Sequence, residues 1–381
     1  QIPTPHIDSI ARGGVRFTQG YVTASVCCPS RAGLVTGRYQ TRFGHELNAI
    51  GRVNAQPGIG LPLAERTIGD HLKDLGYATA CFGKWHLGGT PPFHPQKRGF
   101  DEFFGFLHEG HFYAPPPYRG MNSRFRVSEP PYDDVNPILR ATEPAEEKEY
   151  LTRAITREAL SFIDRNAARP FFLYLPYNAV HSPMQSPTAY VRKFNSIADE
   201  HRQLFAGMLS ALDDGVGAVL GALRKRELEQ DTLIIFLSDN GGPTAELTSS
   251  NLPLRGGKGQ MYEGGIRVPF LMQWKGRIAP GQVLADPVMA TDLLPTAVAA
   301  AGGRRPERID GVDLLPLAAG RRKDSGERTL FWRMGRNAAL RRGKWKLVRQ
   351  SGPNVAGAAF ELYDLERDPQ ETANLANSHR A

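Results

Sequence analysis

The 381 residues carry 47 Lys and Arg against 39 Asp and Glu, a net charge of +8, with 41% hydrophobic and 23% charged residues. This composition excludes a disordered chain, the length suits a large α/β unit with a smaller appendage, and no apolar run reads as long enough to span a bilayer. The basic excess favours anionic substrates, yet it is dispersed apart from Arg304-Arg305 and Arg321-Arg322-Lys323 and accompanies no nucleic-acid motif, so nucleic acid is not an expected partner.

The chain opens with Gln1-Ile2-Pro3-Thr4-Pro5-His6, which reads as the middle of a domain and leads us to expect a fragment. Asp8 suits the cap of a helix through Ala11, Gly13-Gly14 ends it, and Val15-Arg16-Phe17 starts a strand leading to Cys27. Residues 61–75 have helical spacing with a restart at Thr67, and the strand 77–82 follows, ending at Gly83-Lys84-Trp85-His86-Leu87-Gly88. Residues 112–144 are rich in Pro, Tyr and charge and read as an extended surface excursion, in which Tyr113 and Tyr118, with His108 and His111 beside it, are candidate sugar contacts. A helix over 146–166 precedes a buried strand, 171–175, that delivers Asn178-Ala179-Val180-His181. A helix over 200–226 precedes the strand 233–237, which delivers Ser238-Asp239-Asn240-Gly241-Gly242. Alternating strands and helices predict a mainly parallel sheet covered on both faces, with ligands gathered at the strands' carboxyl ends. Short strands near Thr329, Ala338, Trp345 and Glu361 predict a small antiparallel unit, dividing the chain into residues 1–325 and 326–381.

The most reactive stretch is Ser25-Val26-Cys27-Cys28-Pro29-Ser30-Arg31, followed by Thr36-Gly37-Arg38. Pro29 suits the first helical position and Gly37 the stop, so Cys27 is expected at a helix N-terminus, where free N–H groups and the dipole favour anions. Arg31 adds a planar cation able to grip an oxyanion. Isolated cysteines are usually buried small hydrophobes, and these three make no disulfide framework. A phosphatase-type thiolate loop requires an arginine where Cys27 meets Gly33 and Cys28 meets Leu34, so that reading fails on spacing.

Cys27-x-Pro29-Ser30-Arg31 with Thr36-Gly37-Arg38 resembles the signature of the type I, formylglycine-dependent sulfatases. Singly, His86 and His181 are ordinary packed histidines, and Asp239-Asn240 is an ordinary turn. In family order, however, Gly-Lys-Trp-His-Leu-Gly, Asn-Ala-Val-His-Ser-Pro, Ser-Asp-Asn-Gly-Gly, Leu254-Arg255-Gly256-Gly257-Lys258-Gly259 and Tyr262-Glu263-Gly264-Gly265-Ile266-Arg267 all resemble sulfatase blocks. The resemblance runs from about residue 3 to the Leu362-Tyr363-Asp364 segment and includes arylsulfatase-like and N-acetylgalactosamine-6-sulfatase-like members. It implies an alkaline-phosphatase-like α/β/α sandwich with a mainly parallel central sheet and a small C-terminal antiparallel subdomain.

The same resemblance implies that Cys27 is oxidised to formylglycine by the formylglycine-generating enzyme. One hydroxyl of its hydrate attacks sulfur, and deprotonation of the other then expels sulfate. It further implies Ca²⁺ or Mg²⁺ held by Asp239, Asn240 and the residue at Cys27, and sulfate charge shared by Arg31, Lys84 and Lys258. His86 assists sulfate release, and His181 or Lys258 protonates the leaving alcohol. Family members carry an Asp-Asp pair on a strand that precedes the position where this sequence begins; neither Asp133-Asp134 nor Asp213-Asp214 is expected to replace it.

The expected substrate is a sulfated carbohydrate or aryl sulfate, in a periplasmic, extracellular or lysosomal setting. Two alternatives remain at this stage: a phosphodiesterase or phosphonate hydrolase on the same fold, and an inactive protein that binds sulfated glycan.

Overall fold

The apolar strand segments assemble into two mixed sheets whose faces are covered by helices. In this computed structural model the described residues are 2–379 apart from 128, 130–131, 325 and 352–358. The α-helices are α1 (Pro5–Arg12), α2 (Cys27–Thr36), α3 (Ile68–Asp74), α4 (Tyr132–Val135), α5 (Leu151–Asn166), α6 (Thr188–Val191), α7 (Glu200–Lys225), α8 (Thr244–Leu247), α9 (Glu263–Ile266), α10 (Leu293–Ala300) and α11 (Leu315–Ala318). The strands are β1 (Val15–Tyr21), β2 (Ala78–Lys84), β3 (Glu102–Phe106), β4 (Met121–Arg124), β5 (Leu139–Arg140), β6 (Glu143–Pro144), β7 (Phe171–Tyr174), β8 (Met184–Pro187), β9 (Ile234–Leu237), β10 (Phe270–Gln273), β11 (Gln282–Met289), β12 (Thr329–Met334), β13 (Asn337–Arg342), β14 (Trp345–Arg349) and β15 (Glu361–Asp364).

One sheet has the order β11-β1-β10-β9 and another β6-β5-β3-β2-β7. Strands β1 and β11 pair in parallel, as do β2 with β3 and with β7, while β10 runs antiparallel to both β1 and β9. Alternation along the strands explains the layering. Ala78, Ala80 and Phe82 face a core shared with Ile155 and Phe162 of α5 and Met208 of α7; Cys81 and Phe103 face the opposite core, with Ala32 of α2, Leu72 of α3 and Leu294 of α10.

Several local expectations are corrected. Helix α1 begins at Pro5 with Thr4 as its N-cap, so Asp8 lies inside its first turn. Helix α2 begins at Cys27 itself, and Pro29 is its third residue; the first amides of a helix have no internal acceptor, so proline fits there without loss. Residues 61–66 are not helical. Thr67 is the N-cap of α3 rather than a restart, in a capping box with Asp70. The helix expected from 146 begins at Leu151. Within the surface excursion, β4 pairs with β8 and the short α4 forms. Asp133 and Asp134 belong to α4, and their side chains lie outside the described residues. Strand β7, expected to be buried, is half-buried because it is the edge of its sheet, as is β9 at the edge of the other. Helix α7, by length and composition, is apolar enough to cross a membrane, contrary to the sequence reading. Its apolar residues Leu204, Phe205, Met208 and Leu212 are nevertheless buried in the fold, as a core helix requires.

The C-terminal strands form the antiparallel order β12-β13-β14-β15. Trp332 Nε1 donates to the carbonyl of Val22 at 2.6 Å, just upstream of α2. Lys346, fully buried, lies 2.8 Å from carboxylate oxygens of both Glu263 and Glu371, and Tyr21 donates to Glu263 at 2.7 Å. A buried cation between two carboxylates thus ties this sheet to β1 and α9.

Candidate active site

Four segments converge on Cys27. Val26 is extended, at φ −138°, and turns the chain from β1 into α2 so that Cys27 opens the helix. The backbone N–H of Cys28 is taken by Asn48 Oδ1 at 3.0 Å. Helix α2 comes so close to the preceding turn that a Cβ at Gly33 would lie 2.2 Å from Thr23 Oγ1, which requires glycine there. Strand β2 delivers Lys84 as its last residue. Gly83, at φ +131°, lets the backbone of β2 meet the carbonyl of Pro176 beyond β7, where a Cβ would stand 2.2 Å from that oxygen. His86 follows at φ +56°, where the chain leaves the extended conformation. Trp85 still points into the core, its Nε1 donating to Phe93 O at 2.8 Å, and both flanking residues act on Cys27. Lys258 sits on a loop stitched at both sides of the site: its N–H donates to Gly242 O at 3.2 Å, and that of Gly259 to Ser25 O at 2.8 Å.

The electrostatics are those of an anion-receptive pocket. Burial pushes the Cys27 thiol up, but the ammonium groups of Lys84 and Lys258 and hydrogen bonds with His181 and His86 outweigh it and hold the thiol well below its ordinary value. Lys84 is 1% exposed, and burial lowers its own pKa while the neighbouring Cys27 opposes that shift.

Hydrogen bonds assign the histidine tautomers. His86 Nε2 donates to Ala49 O at 2.7 Å, leaving the buried Nδ1 as the ring's acceptor toward Cys27. His181 Nδ1 donates to Ser182 O at 2.7 Å, leaving Nε2 as the acceptor 3.3 Å from Lys258 Nζ. Burial drives His86 down to about 4, and burial with Lys84 and Lys258 lowers His181, so both rings are neutral near pH 7 with a lone pair toward the Cys27 region.

Arg31 does not present an open fork to an oxyanion. Its Nε and Nη2 donate to Asp239 Oδ2 at 3.0 and 2.8 Å, and Nη1 donates to Lys84 O at 2.8 Å. It fastens α2 to the end of β2 and aims Asp239. Beside Asp239, the buried Oδ1 of Asn240 accepts no hydrogen bond from the described residues, while its Nδ2 donates to Gly241 O at 2.8 Å. A carboxylate next to an orphaned amide oxygen fits a hard divalent cation. His6, Asp213 and Asp214 form a second cluster with ligand-like spacing, but Asp213 already accepts the N–H groups of His6 and Ile7 at the start of α1, and Asp214 accepts from Tyr190.

All eight sequence candidates, Cys27, Arg31, Lys84, His86, His181, Asp239, Asn240 and Lys258, therefore lie in or beside one pocket. The proposed sugar contacts Tyr113, His108 and His111 do not line an open surface: they are 1%, 3% and 7% exposed. Tyr113 instead donates to the carbonyl of His181 at 3.0 Å and steadies that segment. Sequence reasoning missed this bond, the Ala49 carbonyl that fixes His86 and the Asn48 cap, since residues 45–55 carry no motif or period.

The geometry defines an α/β fold with an anion-receptive, proton-handling pocket at strand ends, and the comparisons name the family. A profile described as Sulfatase matches residues 1–303, and one described as N-sulphoglucosamine sulphohydrolase, C-terminal, matches residues 257–381. Human arylsulfatase A is 33% identical, with 98% of this chain and 78% of that protein aligned. Pig N-acetylgalactosamine-6-sulfatase is 34% identical, with 98% and 77% aligned. The solved structure of Ps i-CgsB in complex with k-i-k-neocarrahexaose superposes with a TM-score of 0.89 at 35% identity, covering 99% of this chain and 84% of that one. The chain belongs to the sulfatase family, the sulfuric ester hydrolases, and has their alkaline-phosphatase-like fold.

Proposed function

We propose that the protein hydrolyses a sulfate ester of a carbohydrate or aryl alcohol at Cys27, the residue matured to formylglycine. The observation that carries this reading is the convergence of two ammonium groups and two neutral imidazoles on the Cys27 side chain. Formylglycine supplies a hydrated aldehyde, whose paired hydroxyls allow attack on sulfur and later release of sulfate. Asp239, Asn240 and the side chain at position 27 would hold a divalent cation, Ca²⁺ or Mg²⁺, which polarises the nucleophile and a sulfate oxygen.

The remaining work falls to this chain's own residues. Lys84 and Lys258 bind the sulfate oxygens in a buried setting, where their charge is weakly screened. His86 holds its Nδ1 lone pair toward position 27 and accepts a proton there. His181 accepts from Lys258 at Nε2, so this couple can pass a proton to the departing alcohol oxygen. Arg31 positions Asp239 and neutralises part of its charge. The same reading implies maturation by the formylglycine-generating enzyme and an exported or lysosomal setting.

The test is turnover of matched 4-nitrophenyl sulfate, phosphate diester and phosphonate by protein made in a host that forms formylglycine. Sulfate preferred in kcat/KM supports the reading; preference for phosphate or phosphonate refutes it.

A further inference from the structure

A cavity of about 510 Å³ opens beside the pocket, between the loop bearing Lys258 and the turn joining β12 to β13. Lys258, Gln260, Arg336, Asn337 and Gln350 line it, and none of its described lining groups is acidic. Its amides are held in one orientation: Gln260 Oε1 accepts the N–H of Gly257 at 3.0 Å, Gln350 Oε1 that of Met261 at 2.8 Å, and Asn337 Oδ1 that of Ser351 at 2.8 Å. With the oxygens committed, the NH₂ ends of Gln260 and Asn337 are left to offer, while that of Gln350 already donates one hydrogen bond to Ser351 O at 3.3 Å. The guanidinium of Arg336 makes no hydrogen bond or ion pair among the described residues, although its carbonyl accepts from Arg349 Nε at 2.8 Å and so fixes the turn. The result is a cavity with two cations and no acidic group among its described lining residues, and one of the cations, Lys258, is shared with the Cys27 pocket.

A single sulfate ester would be satisfied by Lys84 and Lys258 alone. The second cation and the oriented amides answer a second anion beside the first. We propose that this cavity is the subsite for the sugar adjoining the one that loses sulfate, and that it selects a neighbour bearing its own carboxylate or sulfate, gripped by Arg336. The volume suits one such unit with its water, and guanidinium geometry suits either oxyanion. The inference rests on the sulfatase reading and narrows it to anionic oligosaccharides.

The test compares wild type with Arg336→Ala, Arg336→Lys and Asn337→Ala, whose folding is checked by thermal melting. Turnover is measured on 4-nitrophenyl sulfate, chondroitin 6-sulfate disaccharide (neighbouring carboxylate) and an ι-carrageenan tetrasaccharide (neighbouring sulfate). Calorimetric affinity is measured for both oligosaccharides and for N-acetylgalactosamine 6-sulfate. We expect Arg336→Ala to leave kcat/KM for the aryl sulfate within twofold. It should weaken at least one oligosaccharide at least tenfold, through KM and Kd, with little effect on the monosaccharide, and Arg336→Lys should recover part of the loss. The oligosaccharide that responds identifies the anion. Equal loss on all ligands, no loss on any, or no binding of either oligosaccharide by wild type overturns the proposal. Absent aryl sulfate turnover counts instead against the sulfatase reading, and the affinities still decide the subsite.

Discussion

Lys258 Nζ lies 3.3 Å from His181 Nε2, with the other ring nitrogen of His181 committed to the carbonyl of Ser182. This contact makes the lysine a donor to a neutral ring and both residues neighbours of Cys27. In the proposed reaction this couple protonates the leaving group. Replacing Lys258 by Ala is therefore expected to lower kcat by about 10²–10⁴-fold on an alkyl sulfate, whose alcohol leaves poorly without a proton. On 4-nitrophenyl sulfate the loss should be much smaller. Steady-state kinetics across leaving groups of graded acidity checks this, and equal losses across the series would contradict the assignment.

The Arg31–Asp239 pair predicts a coupled defect. Asp239→Asn removes the carboxylate that both fits a cation and meets the guanidinium of a side chain only 6% exposed. Divalent-cation affinity, read by calorimetry, should fall at least tenfold. Stability, read by urea unfolding, should fall by about 3 kcal/mol because the arginine keeps its charge in a buried place. Unchanged cation affinity would remove Asp239 from the ligand set.

How much of this was legible in the sequence depended on range. Cys27, Lys84, His181 and Asp239 could be found because each stands at or just beyond an element end that apolar runs and glycines mark. The start of α2 was misplaced because Pro29 serves equally well as first or third helical residue. The left-handed turn at His86 was not legible, because nothing in Lys-Trp-His announces φ +56°. Lys346, Glu263 and Glu371 could not be paired at all. Each reads alone as a surface charge, and only folding puts Lys346 2.8 Å from both carboxylates.

That triad predicts where the C-terminal sheet is weakest. Lys346→Met leaves two buried carboxylates sharing no lysine, and the expected cost is about 3–5 kcal/mol by urea unfolding. Adding Glu263→Gln and Glu371→Gln should restore much of the loss, since neutral amides demand no counter-charge. A destabilisation that the added amides leave untouched would show that Lys346 acts by packing alone.

Acid should destabilise the fold through two further buried imidazoles, His45, which meets Cys28 Sγ at 3.1 Å, and His108. Burial lowers His45 to about 4, with Arg98 adding to the shift, and burial lowers His108 to about 4. The unfolded chain takes up these protons below its ordinary value of about 6.5, whereas the folded chain takes them up only near 4. Their contribution is therefore complete above pH 6.5 and lost as pH falls toward 4. Urea midpoints between pH 7.5 and 4.5 should decline, and His45→Gln should flatten the decline by up to one proton. An unchanged slope in the variant would contradict the burial argument.

The most direct measurement of the central claim is the mass of the tryptic peptide 17–31 from protein made in a host that has the formylglycine-generating enzyme. The account predicts a loss of about 18 Da at Cys27, the difference between a thiol and an aldehyde at that carbon, with Cys28 unmodified. A Cys27 that stays a thiol in that host would contradict it, leaving the lysines and histidines gathered around a side chain that performs no ester chemistry.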